Sequence, residues 1–211
     1  MEKMPLVVSA TFLLLLLMAP MAQASSGTIE LIGKEWDHDP LKVYVHAAPK
    51  FADYVPHAIT ALNDWSEGLQ AASGNYDAFK FEVIDSRRDA DIILSIRGGA
   101  FAGVLGMTIW RDVDGDGTFD KVMITVKVGA GDVGLEDFRN VVRHEVGHAL
   151  GLGHEITDEP DLMDPTYDAS DVGSDVLPSA LDIEALLYIY YDDGFGLPNL
   201  PPDEIPSSFS L

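Results

Sequence analysis

The chain has 211 residues, with 35 Asp and Glu against 13 Lys and Arg, a formal net charge of -22, and no cysteine. That length suits one domain with a full core, and 47% hydrophobic residues set it apart from a disordered acidic polymer. The charge argues against nucleic acid and anionic membranes as main partners, since both repel an acidic surface. The missing cysteine excludes disulfides, thiolate-bound zinc, iron–sulfur clusters and thiol nucleophiles.

Residues 6–22, LVVSATFLLLLLMAPMA, form an apolar run after Lys3 that ends in Ala22-Gln23-Ala24. A charged start, an apolar stretch and small residues at the A-x-A positions describe a secretory signal peptide, so residues 1–24 are expected to be removed and the protein secreted. An uncleaved leader would instead tether it at a membrane surface. An exported protein without cysteine needs another source of stability, for which bound metal is a candidate.

Residues 41–46, LKVYVH, alternate and are β-rich, which predicts a strand. From 51 to about 72, Val55, Ala58, Ile59, Leu62, Trp65 and Leu69 recur at helical spacing. Short strands are expected at 79–84, 91–97, 104–110 and 121–128. A second helix is predicted over 135–150, with Leu135, Phe138, Val141, Val142, Val146 and Ala149 on its apolar side and Asp132 as N-cap. A third spans 179–190, with Ser179 as N-cap and Leu181, Ala185, Leu186 and Ile189 inward. The last residues, 193–211, are rich in Pro, Gly and Ser without periodicity, and a flexible tail is expected there.

The chemistry sits in residues 144–154, HEVGHALGLGH. His144 and His148 are four apart, so on a helix both imidazoles reach one metal while Glu145 flanks it. Gly151 can take a positive φ and turn the chain back, which lets His154 supply a third nitrogen. Three neutral imidazoles leave one position open on a tetrahedral zinc, as in catalytic sites. Zinc-bound water has a pKa near about 7, and Glu145 can take its proton as general base and pass it to a leaving amine. His38, His46 and His57 show no such spacing and are read as ordinary residues.

This segment resembles the H-E-x-x-H-x-x-G-x-x-H zinc signature of the metzincin metallopeptidases. Leu162-Met163-Asp164-Pro165-Thr166-Tyr167 is similar to their methionine turn, in the form used by the matrixin branch. The resemblance extends, as a looser pattern, over about residues 36–192. It implies an α/β (α+β) fold with a mixed, twisted five-stranded sheet, two long helices and a C-terminal helix below the zinc cleft. It also implies that Met163 underlies the zinc and that Pro165 and Tyr167 line the S1′ pocket. An edge strand, assigned to 104–110, would pair with extended substrate. Two departures stand out. Matrixins are commonly held latent by a propeptide cysteine, which this chain lacks, and no histidine lies between His57 and His144 for the structural zinc of animal matrixins. Glu155, after the third histidine, is the residue astacins place there.

Asp112, Asp114, Asp116 and Asp120 form D-x-D-x-D-G-x-x-D, in which alternate carboxylates converge on a hard cation, glycine allows the turn and the Thr118 carbonyl suits the seventh position. Position twelve is Met123 rather than Glu, so this is not a complete EF-hand. A structural Ca2+ is expected, with a solvated acidic turn as the alternative. After Arg143 there is no Lys or Arg, and eight acids lie between Glu155 and Asp175. Solubility explains such a face; selection for basic substrates or a further calcium site would also produce it.

The expectation is a monomeric, secreted zinc metalloendopeptidase acting on protein or peptide substrates, with no nucleic acid partner. The alternatives are a non-catalytic secreted metal-binding module on the same fold, which would not need Glu145, and a surface-tethered peptidase.

Overall fold

The computed structural model describes residues 27–74, 80–99, 104–129, 134–156, 161–166, 173–190 and 205–210. The expected leader 1–24, the N-cap Asp132, the pocket residue Tyr167 and residues 193–204 of the expected tail lie outside the described residues. The elements in chain order are β1 (Thr28–Leu31), β2 (Leu41–Ala47), a 3-10 turn at Pro49–Tyr54, α1 (Val55–Ser73), β3 (Phe81–Val83) and β4 (Ile92–Gly98). They continue with β5 (Gly106–Arg111), β6 (Lys121–Val128), α2 (Leu135–Ala149), β7 (Leu152–Ile156), α3 (Ala180–Tyr190) and β8 (Ser208–Ser210).

The architecture is mixed α/β. Five strands form one sheet in the order β3-β2-β4-β6-β5. The pairs β2–β3, β2–β4 and β4–β6 are parallel, and β5 runs antiparallel to β6 at the edge. The register explains the core. In β6, Val122, Ile124, Val126 and Val128 alternate inward, while Ile92 to Ile96 of β4, the middle strand, are buried throughout. A central parallel strand is covered on both faces and therefore reads as a continuous apolar run. The buried faces of α1 and α2 join the same core through Leu62, Trp65, Leu69, Phe138, Val142 and Val146.

Several boundaries differ from expectation for local reasons. The first helix begins at Val55 rather than 51, after a 3-10 turn, because Pro56 fits only the first turn of an α-helix. It ends at Gly74, whose φ of 67° is left-handed and whose N–H donates to the Gln70 carbonyl at 3.0 Å. The N-cap of α2 is Gly134, whose N–H donates to Asp137 Oδ2 at 2.9 Å. Leu135, expected in the core, is 39% exposed. Ser179 does cap α3, with its hydroxyl accepting the Asp182 N–H at 3.1 Å while Asp182 Oδ2 accepts the Ser179 N–H at 2.9 Å.

A second sheet, β7-β1-β8, is antiparallel throughout and was not expected. The end of the expected tail joins it: Ser208–Ser210 pairs with β1, Leu31 N–H donates to the Ser207 carbonyl at 2.9 Å, and Ile205 is buried. Strands this short carry no readable alternation, and their pairing partners are remote in sequence. Among the described residues, no helix is long and apolar enough to cross a membrane.

Candidate active site

His144 and His148 sit one turn apart on α2, and the helix is stopped where a third histidine is needed. Gly151 has a φ of 106°, and a Cβ there would lie 2.7 Å from the Lys34 carbonyl oxygen, so both conformation and space require glycine. The chain reverses into β7, which carries His154. The three rings then face one another, with centroids 4.7 Å apart for His144–His148, 4.8 Å for His148–His154 and 5.4 Å for His144–His154. One potential ligand atom from each lies within 4.8 Å of the others.

Backbone carbonyls set the tautomers of the two helical histidines. His144 Nδ1 donates to the Leu162 carbonyl at 2.7 Å and His148 Nδ1 to the Leu152 carbonyl at 2.8 Å, which leaves Nε2 of each as a lone-pair donor for metal. Burial lowers the pKa of His144, and burial followed by the neighbouring His144 lowers that of His148 to about 3. Neutral imidazole is the ligating form. Three such nitrogens with an open side fit a catalytic zinc better than a hard, oxygen-seeking cation.

The turn bearing Met163 is pinned at both ends. Its Leu162 carbonyl holds His144, and its Met163 carbonyl accepts the Glu155 N–H at 2.9 Å. Met163 is fully buried against α2, where a Cβ on Gly147 would come within 2.5 Å of its sulfur and 3.1 Å of Trp65. Trp65 donates its indole N–H to the Arg143 carbonyl at 3.0 Å. Arg143, 2% exposed, binds Asp64 at 2.7 Å and Asp175 and Asn140 at 2.8 Å, fastening α1, α2 and residues 173–176 together.

Glu145 points toward the edge strand. It is 5% exposed, and Thr108 Oγ1 lies 2.5 Å from its Oε2 and 3.0 Å from its backbone carbonyl, a hydroxyl that can donate to either. Burial raises the Glu145 pKa to about 7, and the Thr108 hydrogen bond opposes that rise. A carboxyl poised near neutrality is suited to exchanging protons at physiological pH. At Gly106 a Cβ would stand 2.3 Å from Glu145 Oε1, so β5 leaves room for the carboxylate and then hydrogen-bonds it.

A cleft of about 580 Å³ runs between β5 and the Met163 turn. The three histidines, Glu145, Thr108, Val141 and Pro165 line it. Met107, Ile109 and Trp110 on β5 are 42%, 45% and 39% exposed. The edge predicted at 104–110 is therefore an edge, with its strand at Gly106–Arg111.

The acidic loop joins β5 to β6. Carboxylate oxygens of Asp112, Asp114 and Asp116 lie within 4.8 Å of one another. Asp112 accepts the Gly115 N–H at 2.6 Å and the Gly117 N–H at 3.2 Å, and Asp116 accepts the N–H and hydroxyl of Thr118 at 2.8 Å each. Both carboxyls are held below their ordinary pKa, Asp112 chiefly by the Lys34 ammonium and Asp116 by the Thr118 N–H. Asp120 stands outside the group and accepts the Val113 N–H. The loop docks through Phe119, whose N–H donates to the Glu35 carbonyl at 2.8 Å and whose ring lies 5.2 Å from Trp36.

Sequence reasoning passed over Thr108, Gly106, Gly147 and Arg143. No motif marks them. Only the pairing of β5 with β6 and the packing of α1 on α2 bring them to the site.

The model of the matrixin family matches residues 46–191, well over half of the chain. No curated protein matches. Two solved structures of myroilysin are similar. One is 12% identical, covers 78% of this chain and 99% of that one, and has a TM-score of 0.46. The other is 13% identical, covers 76% and 84%, and has a TM-score of 0.42. With the zinc signature, the methionine turn and the family match falling on one stretch of sequence, the chain belongs to the matrixin family of metzincin metallopeptidases.

Proposed function

We propose that the protein is a secreted zinc-dependent endopeptidase in which Glu145 is the general base. The observation that carries this reading is the placement of Glu145: buried, with its pKa raised to about 7, and bordering the same cleft as the three imidazoles. His144, His148 and His154 would hold the zinc. When bound, zinc acidifies a water and polarises a carbonyl. Glu145 takes a proton on the carboxylate that Thr108 steadies and returns it to the departing amine. Extended substrate adds to the edge of β5, beyond which no strand lies among the described residues, and by family resemblance Pro165 and Tyr167 would line the primed side. Secretion rests on the leader pattern in residues 1–24, and a monomer acting on protein or peptide substrates is the working form. A calcium ion at Asp112, Asp114 and Asp116 fixes the loop between β5 and β6, and so the strand that faces substrate.

The test is expression of residues 25–211, with bound zinc measured and casein cleavage compared against Glu145→Ala. Zinc near one per chain in both proteins is expected, with activity lower in the variant by about 10²–10⁴-fold. Equal cleavage by both, or a folded wild-type protein without zinc, would falsify the reading.

A further inference from the structure

A second group of acids lies below the Met163 turn and plays no part in the reading above. Glu155 on β7, Asp161 at the start of the turn and Asp182 on α3 bring carboxylate oxygens within 4.8 Å of one another. Unlike the loop acids, two of them are buried: Glu155 is 4% exposed and Asp182 is fully enclosed. Asp182 Oδ2 accepts the Ser179 N–H, but its Oδ1, equally buried, meets no donor among the described residues. The charge that acts on Asp182 most strongly is that of Asp161, which has the same sign. A buried carboxylate beside a like charge is expensive unless something positive offsets it. No cationic side chain is among the groups that act most strongly on Asp182.

We propose that Glu155, Asp161 and Asp182 bind a divalent cation of the calcium type, separate from the histidine site and from the surface loop. The donors are all hard carboxylate oxygens, which select Ca2+ over zinc. Oxygens bound to one calcium at 2.3–2.6 Å stand up to about 5 Å apart across the ion, and these three acids fall inside that limit. Burial and then the Asp161 charge push the Asp182 carboxyl well above the usual range. The ion acts as a clamp. Glu155 follows His154 and donates its N–H to the Met163 carbonyl, and the turn from Asp161 leads to Leu162, which orients His144. One cation thereby ties the strand of the third histidine, the methionine turn and α3 into a single base.

The experiment uses the chain carrying D114A and D116A, which remove the surface loop as a calcium binder. The zinc-loaded protein is freed of calcium and titrated with CaCl2 while calcium and zinc are counted by elemental analysis and Tm is followed. One calcium per chain is expected, with a Tm rise of roughly 5–10 °C at a free concentration about a hundredfold above Kd. Adding D182N should abolish both the ion and the rise. No retained calcium overturns the proposal, as does a D182N protein with unchanged calcium and Tm response. A D182N protein that is more stable without calcium identifies a proton shared by Asp161 and Asp182 in place of the ion, and overturns it too. If D182N fails to fold, the count on the D114A/D116A protein decides by itself. Zinc is counted in the same samples, so a failure of the zinc reading is seen separately.

Discussion

The histidine site and the Asp112–Asp120 loop are both sets of like ligands gathered by a glycine turn, yet they are built on opposite principles. The imidazoles of His144 and His148 are fixed from behind by carbonyls of Leu162 and Leu152, and the carboxylates of Asp112 and Asp116 are occupied by N–H groups of their own loop. The first arrangement draws on two elements, α2 and β7, and a buried methionine turn. The second is local, exposed and already partly neutralised by Lys34. A site held by long-range contacts can present its ligands before metal arrives, whereas a local loop must trade internal hydrogen bonds for ion contacts.

The sharpest test removes one ligand from each. His154→Ala should lower zinc affinity by more than about 100-fold, beyond what loss of an outer hydrogen bond to a ligand costs. Asp114→Ala should leave zinc unchanged, as read by competition with a chromogenic chelator. Equal loss of zinc in both would mean that the two sites are not independent. A smaller effect probes the packing behind the imidazoles. Gly147→Ala places a methyl 2.5 Å from the Met163 sulfur with Trp65 behind it, and neither side chain has room to withdraw. Overpacking of this kind costs about 1–3 kcal/mol. Urea denaturation of the zinc-free protein should show it, and an unchanged midpoint would show that the methionine turn is softer than its packing suggests.

What was legible in the sequence follows the same division. His144, Glu145, His148, Gly151 and His154 are close together in the chain, so helix periodicity and one glycine suffice to foresee their convergence. The five strands were readable because β-rich runs are bounded by turn residues, and β6 alternates from Lys121 to Val128 as expected. Where partners are remote, the signal vanishes. Thr108 reaches Glu145 across 37 positions, and β1 meets β8 across about 180, through backbone pairing that any side chain permits. Asp161 lay within an acidic stretch that solubility explained, Asp182 lay on a helix read only for its apolar positions, and only the docking of α3 brings the two together.

Acid separates the two designs by the smallest margin, and its sign can be worked out. His148 has a folded pKa near 3 against about 6.5 in the unfolded chain, and that of His144 is also depressed. Between those limits the unfolded state binds protons that the folded imidazoles refuse, so the histidines' contribution is full above about pH 6.5 and declines as pH falls toward 3, while Glu145 and Asp182, raised to about 7, favour the folded state as pH falls. The loop differs: Asp112 and Asp116 have pKa values below the ordinary carboxylate range, and they retain their charge and contribution until pH drops below that of an unfolded aspartate. Taking the zinc-free protein from pH 7 to 5 should therefore cost on the order of 1–2 kcal/mol through the histidines and next to nothing through the loop. Urea titrations at both pH values, repeated on His148→Gln and on Asp112→Asn, measure the split. Relative to the unsubstituted protein, whose net slope also carries the opposing gain from Glu145 and Asp182, the histidine variant should be less penalised at pH 5, and the aspartate variant should follow the unsubstituted protein. If Asp112→Asn flattened the curve instead, the acid sensitivity would belong to the loop, and its partial neutralisation by Lys34 would be far less complete than its geometry indicates.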